Sequence, residues 1–303
     1  MDTNILLESG TNELEILEFT LGQHRYGINV AKIREILSYQ PVTPIPHANP
    51  CVEGIFMPRD AMITVINLKR CIGVPEDDKE GLFIITNFNK LNIAFHVDEV
   101  IGIHRVSWED IIKPDSTINS DDGGVSTGVV KLNNNLVIIL DFERIVTDIS
   151  PETGLKISDL DDYNSRDRSD CPILIAEDSP LLSKLITDCL KKAGYTKQIV
   201  TANGQEAWEK ICEYRRRGTL DNMVRCVITD IEMPLMDGHR LTKLVKSNDE
   251  IKHIPLIIFS SLVNDEMRRK GEQLGADAQL TKPEIGRLVE TIDRLIEDSR
   301  AGA

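Results

Sequence analysis

The spacing of hydrophobic residues changes once along the 303-residue chain, near residue 170. Before that point, short apolar runs alternate with polar positions, which is the pattern of half-buried strands. The first such region, EILEFTLGQHRYGINV, predicts two strands joined by a turn that contains glycine, and later segments repeat it: MITVINL, GLFIITNF, NIAFHVDEV and NLVIILDF. Many short strands at close spacing predict a β-barrel or sandwich over residues 14–147. Two segments, VAKIREIL and FERIVTDI, have helical spacing instead.

After residue 170 the pattern becomes a regular alternation of two element types. Five short apolar segments (PILIA, QIVTA, RCVIT, PLIIF and AQLT) are each followed by an amphipathic helical segment. This alternation predicts an open parallel sheet with helices on both faces. Residues 148–170 are mostly polar and acidic, and they separate the two patterns. We therefore expect an N-terminal tail (1–13), an all-β domain (14–147), an acidic linker (148–170) and an α/β domain (171–303).

Composition and charge exclude several classes of function. The formal net charge of −14 argues against non-specific binding to nucleic acid or to a membrane surface, because both need a basic face. No apolar stretch reaches the roughly 18 residues of a membrane-spanning helix, and the N-terminus lacks the order of a signal peptide. We expect a cytoplasmic protein without direct membrane insertion. The six cysteines show no metal-ligand spacing, and we expect them to be reduced.

Charged or hydroxyl residues stand directly after four of the five predicted strands of the α/β domain. Glu177 and Asp178 follow the first strand, Asp230 the third, Ser260 the fourth and Lys282 the fifth. Parallel strands place their carboxyl ends at one edge of the sheet, where ligands of open α/β folds bind. Each residue alone also has an ordinary explanation, as a cap, a turn former or a solvated side chain. The combination is more specific.

The chemistry that this combination favours is phosphoryl transfer. Acids held close together repel one another unless a cation is present, and carboxylate and carbonyl oxygens are ligands that suit Mg²⁺. A lysine and a hydroxyl facing that cation suit the oxygens of a phosphoryl group. An aspartate carboxylate can attack phosphorus and form an acyl phosphate.

Residues 171–298 resemble the receiver domain of two-component response regulators. The resemblance is carried by the Glu177-Asp178 pair, the DIEMPLMDG stretch that begins at Asp230, Ser260, and Lys282 followed by proline. It implies a doubly wound, flavodoxin-like sheet with the strand order 2-1-3-4-5, which is the order of a known receiver.

The same resemblance implies the roles of individual residues. Asp230 is then the phosphoacceptor, and Lys282 and Ser260 contact the phosphoryl oxygens. Mg²⁺ is then held by Asp178, Asp230 and the backbone carbonyl of Glu232, with support from Glu177. The chain departs from the receiver pattern at Gln279, where receivers often carry an aromatic residue that moves on activation.

Residues 14–147 resemble the CheW-like coupling domain of bacterial chemotaxis, which consists of two small SH3-like barrels. The matching segments are LEFTLGQHRYGINVAKIREIL, VTPIP, GIFMPRDAMITVINL and LVIILDFERI, with Asp60 in a turn where glycine is usual. The resemblance implies binding to chemoreceptor cytoplasmic tips and to the histidine kinase CheA. Ile33, Glu35 and Arg59 match interface positions of the family; core packing of Ile33 and a solvated surface position of Glu35 and Arg59 are the alternatives.

A CheW-like domain followed by a receiver implies a chemotaxis adaptor that is regulated by phosphorylation of Asp230 and recruited to membrane-associated receptor arrays. Such an adaptor turns over no separate substrate. One alternative keeps the biochemistry but makes the protein a phosphate sink with unregulated coupling. A remote alternative is an Asp-nucleophile phosphohydrolase, which would need a second Asp where this chain has Glu232.

Overall fold

The computed structural model describes residues 12–58, 61–77, 80–88, 91–112, 124–150, 167–261, 265–282 and 284–301. Arg59, Asp60 and most of the expected linker therefore lie outside the described residues. The chain divides into two compact units, Leu14–Thr153 and the combination of Met1–Glu13 with Gly154–Ala303.

The first unit is built from strands, as the alternating pattern predicts. Its strands are β1 (Glu13–Leu21), β2 (His24–Asn29), β3 (Ile33–Ser38), β4 (Val52–Phe56), β5 (Ile63–Asn67), β6 (Leu82–Phe88), β7 (Leu91–Val97), β8 (Glu99–Ser107), β9 (Ser126–Leu132) and β10 (Asn135–Leu140). They form two five-stranded sheets, with the orders β8-β1-β2-β10-β9 and β3-β6-β7-β5-β4. These sheets correspond to the two predicted barrels. Two helices also belong to this unit, α1 (Leu68–Ile72) and α2 (Phe142–Ile149).

The two sheets of the first unit share a hydrophobic core. Phe19 of β1 and Phe95 of β7 come from different sheets, and both rings contact Phe142 at the start of α2, at centroid distances of 6.4 Å and 4.6 Å. Phe142 is completely buried. Asp141 fixes the start of this helix, because its Oδ1 accepts a hydrogen bond from Arg144 N at 2.9 Å. Helix α2 therefore joins the two sheets.

The prediction of a helix over VAKIREIL is wrong. Only Val30–Lys32 form a single 3₁₀ turn, which Asn29 caps, and the chain then enters β3. Strand β3 pairs antiparallel with β6, as shown by the partners Ile36 and Ile84. Pairing with a strand from a distant part of the sequence outweighed the local helical spacing.

The second unit is an α/β fold with one parallel sheet. Its strands are β11 (Ile173–Ala176), β12 (Gln198–Thr201), β13 (Cys226–Thr229), β14 (Leu256–Phe259) and β15 (Ala278–Leu280). They have the order β12-β11-β13-β14-β15 and pair in parallel, which confirms the expected order 2-1-3-4-5. The helices are α3 (Pro180–Lys192), α4 (Gly204–Arg216), α5 (Leu220–Met223), α6 (Gly238–Lys246), α7 (Asp265–Gln273) and α8 (Ile285–Ala301). The short helix α5 was not predicted.

Capping residues fix the loops that leave the carboxyl edge of this sheet. Ser179 caps α3, with Pro180 in the first turn, and Asn203 caps α4. Asp237 caps α6, since its Oδ1 accepts from Arg240 N at 2.6 Å. Because each cap satisfies a backbone N–H that the helix leaves unpaired, the ends of these loops have defined positions.

Arg168 anchors the segment that precedes β11. Its guanidinium forms two hydrogen bonds of 2.7 Å with the Asp293 carboxylate of α8, and it also donates to Ala193 O. Tyr195 donates its hydroxyl proton to the same carboxylate at 2.6 Å. Arg168 is only 6% exposed, whereas the Asp293 side chain is 21% exposed, so the ion pair is buried mainly on its guanidinium side. Arg168 is therefore a structural part of the second unit, although the sequence pattern placed it in the acidic linker.

Candidate functional site

Three carboxylates meet at the carboxyl edge of the parallel sheet. Glu177 and Asp178 follow β11, and Asp230 follows β13, which is the neighbouring strand. One oxygen of each carboxylate lies within 4.8 Å of the corresponding oxygens of the other two. Glu177 and Asp230 are buried, at 3% and 5% exposure, whereas Asp178 is half-buried. The structure thus brings together the three acids that the sequence singled out.

Lys282 provides the cation that faces these acids. Its Nζ lies 2.8 Å from Asp230 Oδ2 and 3.1 Å from Glu177 Oε2. The lysine is 4% exposed, so its ammonium group interacts with the carboxylates with little screening by water. One ammonium group facing three carboxylates leaves an excess of negative charge at the site.

Burial raises the pKa of Glu177 well above its usual range, and the Lys282 ammonium acts in the opposite direction. The neighbouring carboxylates of Asp230 and Asp178 raise the pKa further. Glu177 Oε1 also accepts a hydrogen bond from Ser179 N at 3.2 Å. The site therefore holds a carboxylate whose charged form would be favoured by an added cation.

The backbone around Asp230 fixes the orientation of its carboxylate. Oδ1 accepts a hydrogen bond from Ile231 N at 2.7 Å, and Oδ2 faces Lys282. The carbonyl of Asp230 lies against Gly238, where an added Cβ would be only 1.8 Å from the Asp230 carbonyl oxygen. Position 238 therefore requires glycine. The sequence identifies Gly238 only as part of the motif that follows Asp230, because this backbone contact depends on the fold.

Ser260 also lies at this edge, directly after β14, and is 1% exposed. Its backbone N–H donates to Leu280 O of the neighbouring strand at 3.1 Å. Glu232 is half-buried in the loop that follows Asp230. Both residues have the positions in the fold that the sequence pattern expects.

Gln279 occupies the position where receivers often carry an aromatic ring. Its Nε2 donates to Arg268 O of α7 at 2.6 Å. The side chain packs over Gly271, where an added Cβ would lie 2.5 Å from Gln279 Cδ. Gln279 is thus held against α7 by its hydrogen bond, and glycine at position 271 leaves the space that its side chain occupies.

The predicted interface residues of the first unit are only partly described. Ile33 is half-buried and packs against the shared core. Glu35 is half-buried on β3, opposite Ile85 of β6. Arg59 lies outside the described residues. The packing of Ile33 is what a core position requires, so its interface role stays a prediction.

The first unit also contains a half-buried polar cluster around His96. The Nδ1 atom lies 2.8 Å from Glu53 Oε2, and Nε2 lies 2.9 Å from Glu80 O. Both partners are hydrogen-bond acceptors, so this geometry suits the doubly protonated ring. Burial acts to lower the pKa of His96, but the Glu53 carboxylate, the Glu80 carbonyl and the Asp98 charge together outweigh burial, and the pKa is raised.

Comparison with known proteins agrees with this architecture. Residues 15–150 match the model of the CheW-like domain, and residues 173–293 match that of the response regulator receiver domain. Chemotaxis protein CheV3 of Helicobacter pylori is 28% identical over 96% of this chain and 99% of its own length. Chemotaxis protein CheV2 of the same organism is 30% identical over 94% of this chain and 95% of its own length. Chemotaxis protein CheW of Thermotoga maritima is 30% identical, over 49% of this chain and 98% of its own length.

The fold and the acidic edge of the sheet define a chemotaxis coupling adaptor that carries a phosphorylatable receiver domain. The chain belongs to the CheV family of chemotaxis proteins. Within the described residues, no helix combines the length and apolar character needed to cross a membrane.

Proposed function

We propose that Asp230 accepts a phosphoryl group from a histidine kinase and that this event regulates coupling by the CheW-like unit. The observation that carries the proposal is the position of Lys282, whose ammonium contacts both Asp230 and Glu177 beside a third carboxylate. A purely structural ion pair would need one carboxylate for one ammonium group. An excess of acids around a buried lysine is the arrangement expected of a site that receives another cation.

Residues of this chain would act at each stage of phosphoryl transfer to Asp230. An oxygen of the Asp230 carboxylate attacks phosphorus, a new P–O bond forms, and the bond to the donor group breaks, with its electron pair leaving on the donor. The hydrogen bond from Ile231 N orients the carboxylate for this attack. After transfer, Lys282 and the Ser260 hydroxyl bind oxygens of the attached phosphoryl group, and their new contacts distinguish the phosphorylated state.

The donor set at this edge fits Mg²⁺. Asp178, Asp230 and the backbone carbonyl of Glu232 would hold the ion, with Glu177 in support, because carboxylate and carbonyl oxygens are the ligands that Mg²⁺ prefers. When bound, Mg²⁺ would neutralise charge on the transferring group. No separate substrate is turned over, since the phosphoryl group remains on the protein until water removes it.

The CheW-like unit would bind the kinase CheA and the cytoplasmic tips of chemoreceptors, which would recruit the protein from the cytoplasm to receptor arrays. Support comes from the similarity to CheW proteins and from a match, at 26% identity, to 29% of the sensor histidine kinase CheAY of Helicobacter pylori. Ile33, Glu35 and Arg59 are the proposed interface positions. Phosphorylation would act by favouring one of two arrangements, for which a ten-fold population shift needs only about 1.4 kcal/mol.

The phosphoacceptor is tested with acetyl phosphate and Mg²⁺, followed by intact-protein mass spectrometry. We expect one added phosphoryl group, which is lost on treatment with hydroxylamine because an acyl phosphate is labile to it. EDTA and Asp230→Asn should each prevent the addition, whereas Asp249→Asn, at an exposed position of the same unit, should not. Label that persists in Asp230→Asn would overturn the assignment.

Coupling is tested by co-sedimentation with receptor fragments and CheA, with kinase activity as a second readout. Glu35→Lys should weaken recruitment and leave phosphorylation of Asp230 unchanged. Arg34→Glu is the matched control, because Arg34 is the adjacent, exposed residue of the same strand. Kinase activity that is the same with and without phosphate on Asp230, despite normal recruitment, would favour a phosphate sink.

A further inference from the structure

The loop that follows Asp230 is held by a residue from the distant N-terminal part of the chain. Residues 231–237, between Asp230 and α6, are called the Asp230 loop here. Asn12 belongs to the same compact unit as this loop and is only 8% exposed. Its Nδ2 donates a hydrogen bond to Leu235 O at 2.8 Å, and its Oδ1 accepts one from Asp237 N at 3.0 Å. A single side-chain amide therefore pairs with two backbone groups of the loop.

The Asp230 loop needs such support because part of its backbone is strained. Leu235 has a φ of +66°, in the left-handed region that residues with a Cβ rarely adopt. Leu235 is also 46% exposed, so packing of its side chain contributes little to holding this conformation. Asn12 has a φ of +68°, which asparagine tolerates better than most residues. The two hydrogen bonds of Asn12 therefore stabilise a loop conformation that is unfavourable for leucine.

The Asp230 loop also carries the groups on which phosphoryl transfer to Asp230 would depend. Ile231 N donates to Asp230 Oδ1 at 2.7 Å, and Ile231 O accepts from Gly238 N at 2.9 Å. Glu232, whose carbonyl would bind Mg²⁺, follows Ile231 in the same loop. Because the loop is short, fixing its far end with Asn12 limits the positions that Ile231 and Glu232 can take.

Asn12 lies outside both regions that match known domain families, which are residues 15–150 and 173–293. Its contact with the Asp230 loop is therefore supplied by a part of this chain that neither domain match includes. The next residue, Glu13, is the first residue of β1, so the chain runs from this contact directly into β1.

We propose that Asn12 is a positioning residue for the Asp230 loop and that phosphoryl transfer to Asp230 depends on it. This role rests on the proposed function of Asp230. The amide of Asn12 keeps the loop in the conformation that orients the Asp230 carboxylate and the Glu232 carbonyl. Because energetic coupling between two sites is reciprocal, a change of the loop on phosphorylation also changes how tightly Asn12 is held.

The test compares the full-length wild type with Asn12→Gly, because glycine accepts the left-handed backbone and removes only the side-chain amide. Mg²⁺ binding is measured by calorimetry, and the rate of phosphorylation is measured with acetyl phosphate and Mg²⁺. We expect Asn12→Gly to bind Mg²⁺ about five-fold more weakly and to accept phosphate about five-fold more slowly, which is the effect of one net hydrogen bond. The Asp237 amide should exchange with solvent at least about ten-fold faster, as measured by NMR in EDTA.

Asn134→Gly is the matched control. Asn134 is an exposed asparagine in the turn between β9 and β10, and its φ of +66° is also left-handed. The substitution therefore makes the same chemical change at the same backbone conformation, but in the other unit. Mg²⁺ binding, the rate of phosphorylation and the exchange of the Asp237 amide should all stay as in the wild type.

The wild type supplies a second readout, which holds even if Asn12→Gly fails to fold. The side-chain amide NMR signals of Asn12 should shift when Mg²⁺ is added, and again when acetyl phosphate follows. Signals that respond to neither addition would overturn the proposal.

The variant results separate a positioning role from simple packing. Faster exchange of the Asp237 amide, together with weaker Mg²⁺ binding and slower transfer, supports the proposal. Faster exchange with unchanged Mg²⁺ binding and unchanged transfer would show that Asn12 only packs against the loop. A wild type that binds Mg²⁺ but accepts no phosphate would refute the proposed function, and the Mg²⁺ affinities of wild type and Asn12→Gly would still decide whether Asn12 positions the loop.

Discussion

Replacement of Lys282 by methionine should destabilise the receiver unit strongly when Mg²⁺ is absent. Methionine keeps most of the aliphatic length but removes the ammonium that contacts Asp230 and Glu177 at 2.8 Å and 3.1 Å. The side chains of the three residues are only 2% to 6% exposed, so water cannot replace the lost contacts. Removing one partner of a buried ion pair costs about 3–5 kcal/mol, because the other charge stays buried without compensation.

Two further conditions separate this electrostatic effect from a packing defect. Asp230→Asn combined with Lys282→Met removes one of the uncompensated carboxylates, so the double variant should recover about 2 kcal/mol relative to Lys282→Met. Saturating Mg²⁺ should also recover stability, by about 2.7 kcal/mol at a hundred times its dissociation constant. A packing defect would not respond to Asp230→Asn, and Mg²⁺ would then stabilise the variant only as much as it stabilises the wild type.

The free energy of unfolding of the receiver unit can be measured for each variant by native-state hydrogen exchange of the β11 and β13 amides. The measurement is made on the full-length protein, in EDTA and in Mg²⁺. Lys252→Met is the matched control. Lys252 forms an exposed ion pair with Asp249, with side chains 56% and 92% exposed, so its loss should cost less than about 0.5 kcal/mol. A cost below about 1 kcal/mol for Lys282→Met in EDTA, or a double variant no more stable than the single one, would refute the reasoning.

Three other predictions concern residues outside the phosphoacceptor site. Because the pKa of His96 is raised, its contribution to the stability of the first unit should be complete below its ordinary pKa of about 6.5 and lost as the pH rises through the raised value. The free energy of unfolding, measured in urea at a series of pH values, should therefore fall with rising pH in the wild type and change less in His96→Gln. Gly271→Ala should displace the end of Gln279 and break its hydrogen bond to α7, which the side-chain amide NMR signals would report. Stability should change by less than about 1 kcal/mol, because alanine favours the helix; unchanged amide signals would contradict this. Arg168→Met should cost the receiver unit about 2 kcal/mol, because the partly exposed Asp293 carboxylate would keep only its hydrogen bond from Tyr195, and thermal unfolding at the wild-type midpoint would contradict this expectation.

The fold could be predicted from the sequence where local pattern and tertiary environment agree. The three central receiver strands, β11, β13 and β14, are mainly apolar runs that are buried throughout, and Ser179 with Pro180 marks the start of α3 in sequence as in structure. The segment VAKIREIL failed because its apolar residues fit both periods over so short a length. Only the partner strand β6, which lies far away in sequence, decides between helix and strand.

The residues of the candidate site could be predicted from the sequence, but the contacts among their side chains could not. The alternating pattern implies a parallel sheet, and a parallel sheet brings residues that follow its strands to one edge. This predicts that Glu177, Asp178, Asp230 and Lys282 lie close together. That Lys282 contacts Glu177 as well as Asp230 depends on side-chain placement, which no spacing encodes. The anchoring of Arg168 on α8 was likewise invisible, because an arginine in a polar segment has the same local pattern whether it is solvated or buried.

The pairing of β2 with β10 has a consequence for synthesis of the protein. Tyr26 lies beside Ile138, so an early strand of the coupling unit finds this neighbour only after almost the whole unit has been translated. Phe142 and the rest of α2 complete the shared core later still. Until then, the early strands expose apolar faces and unpaired edges, which are the features that recruit chaperones and promote aggregation. A chain interrupted shortly before residue 142 would therefore behave as a misfolded nascent product, whereas one interrupted after α2 would carry a finished coupling unit.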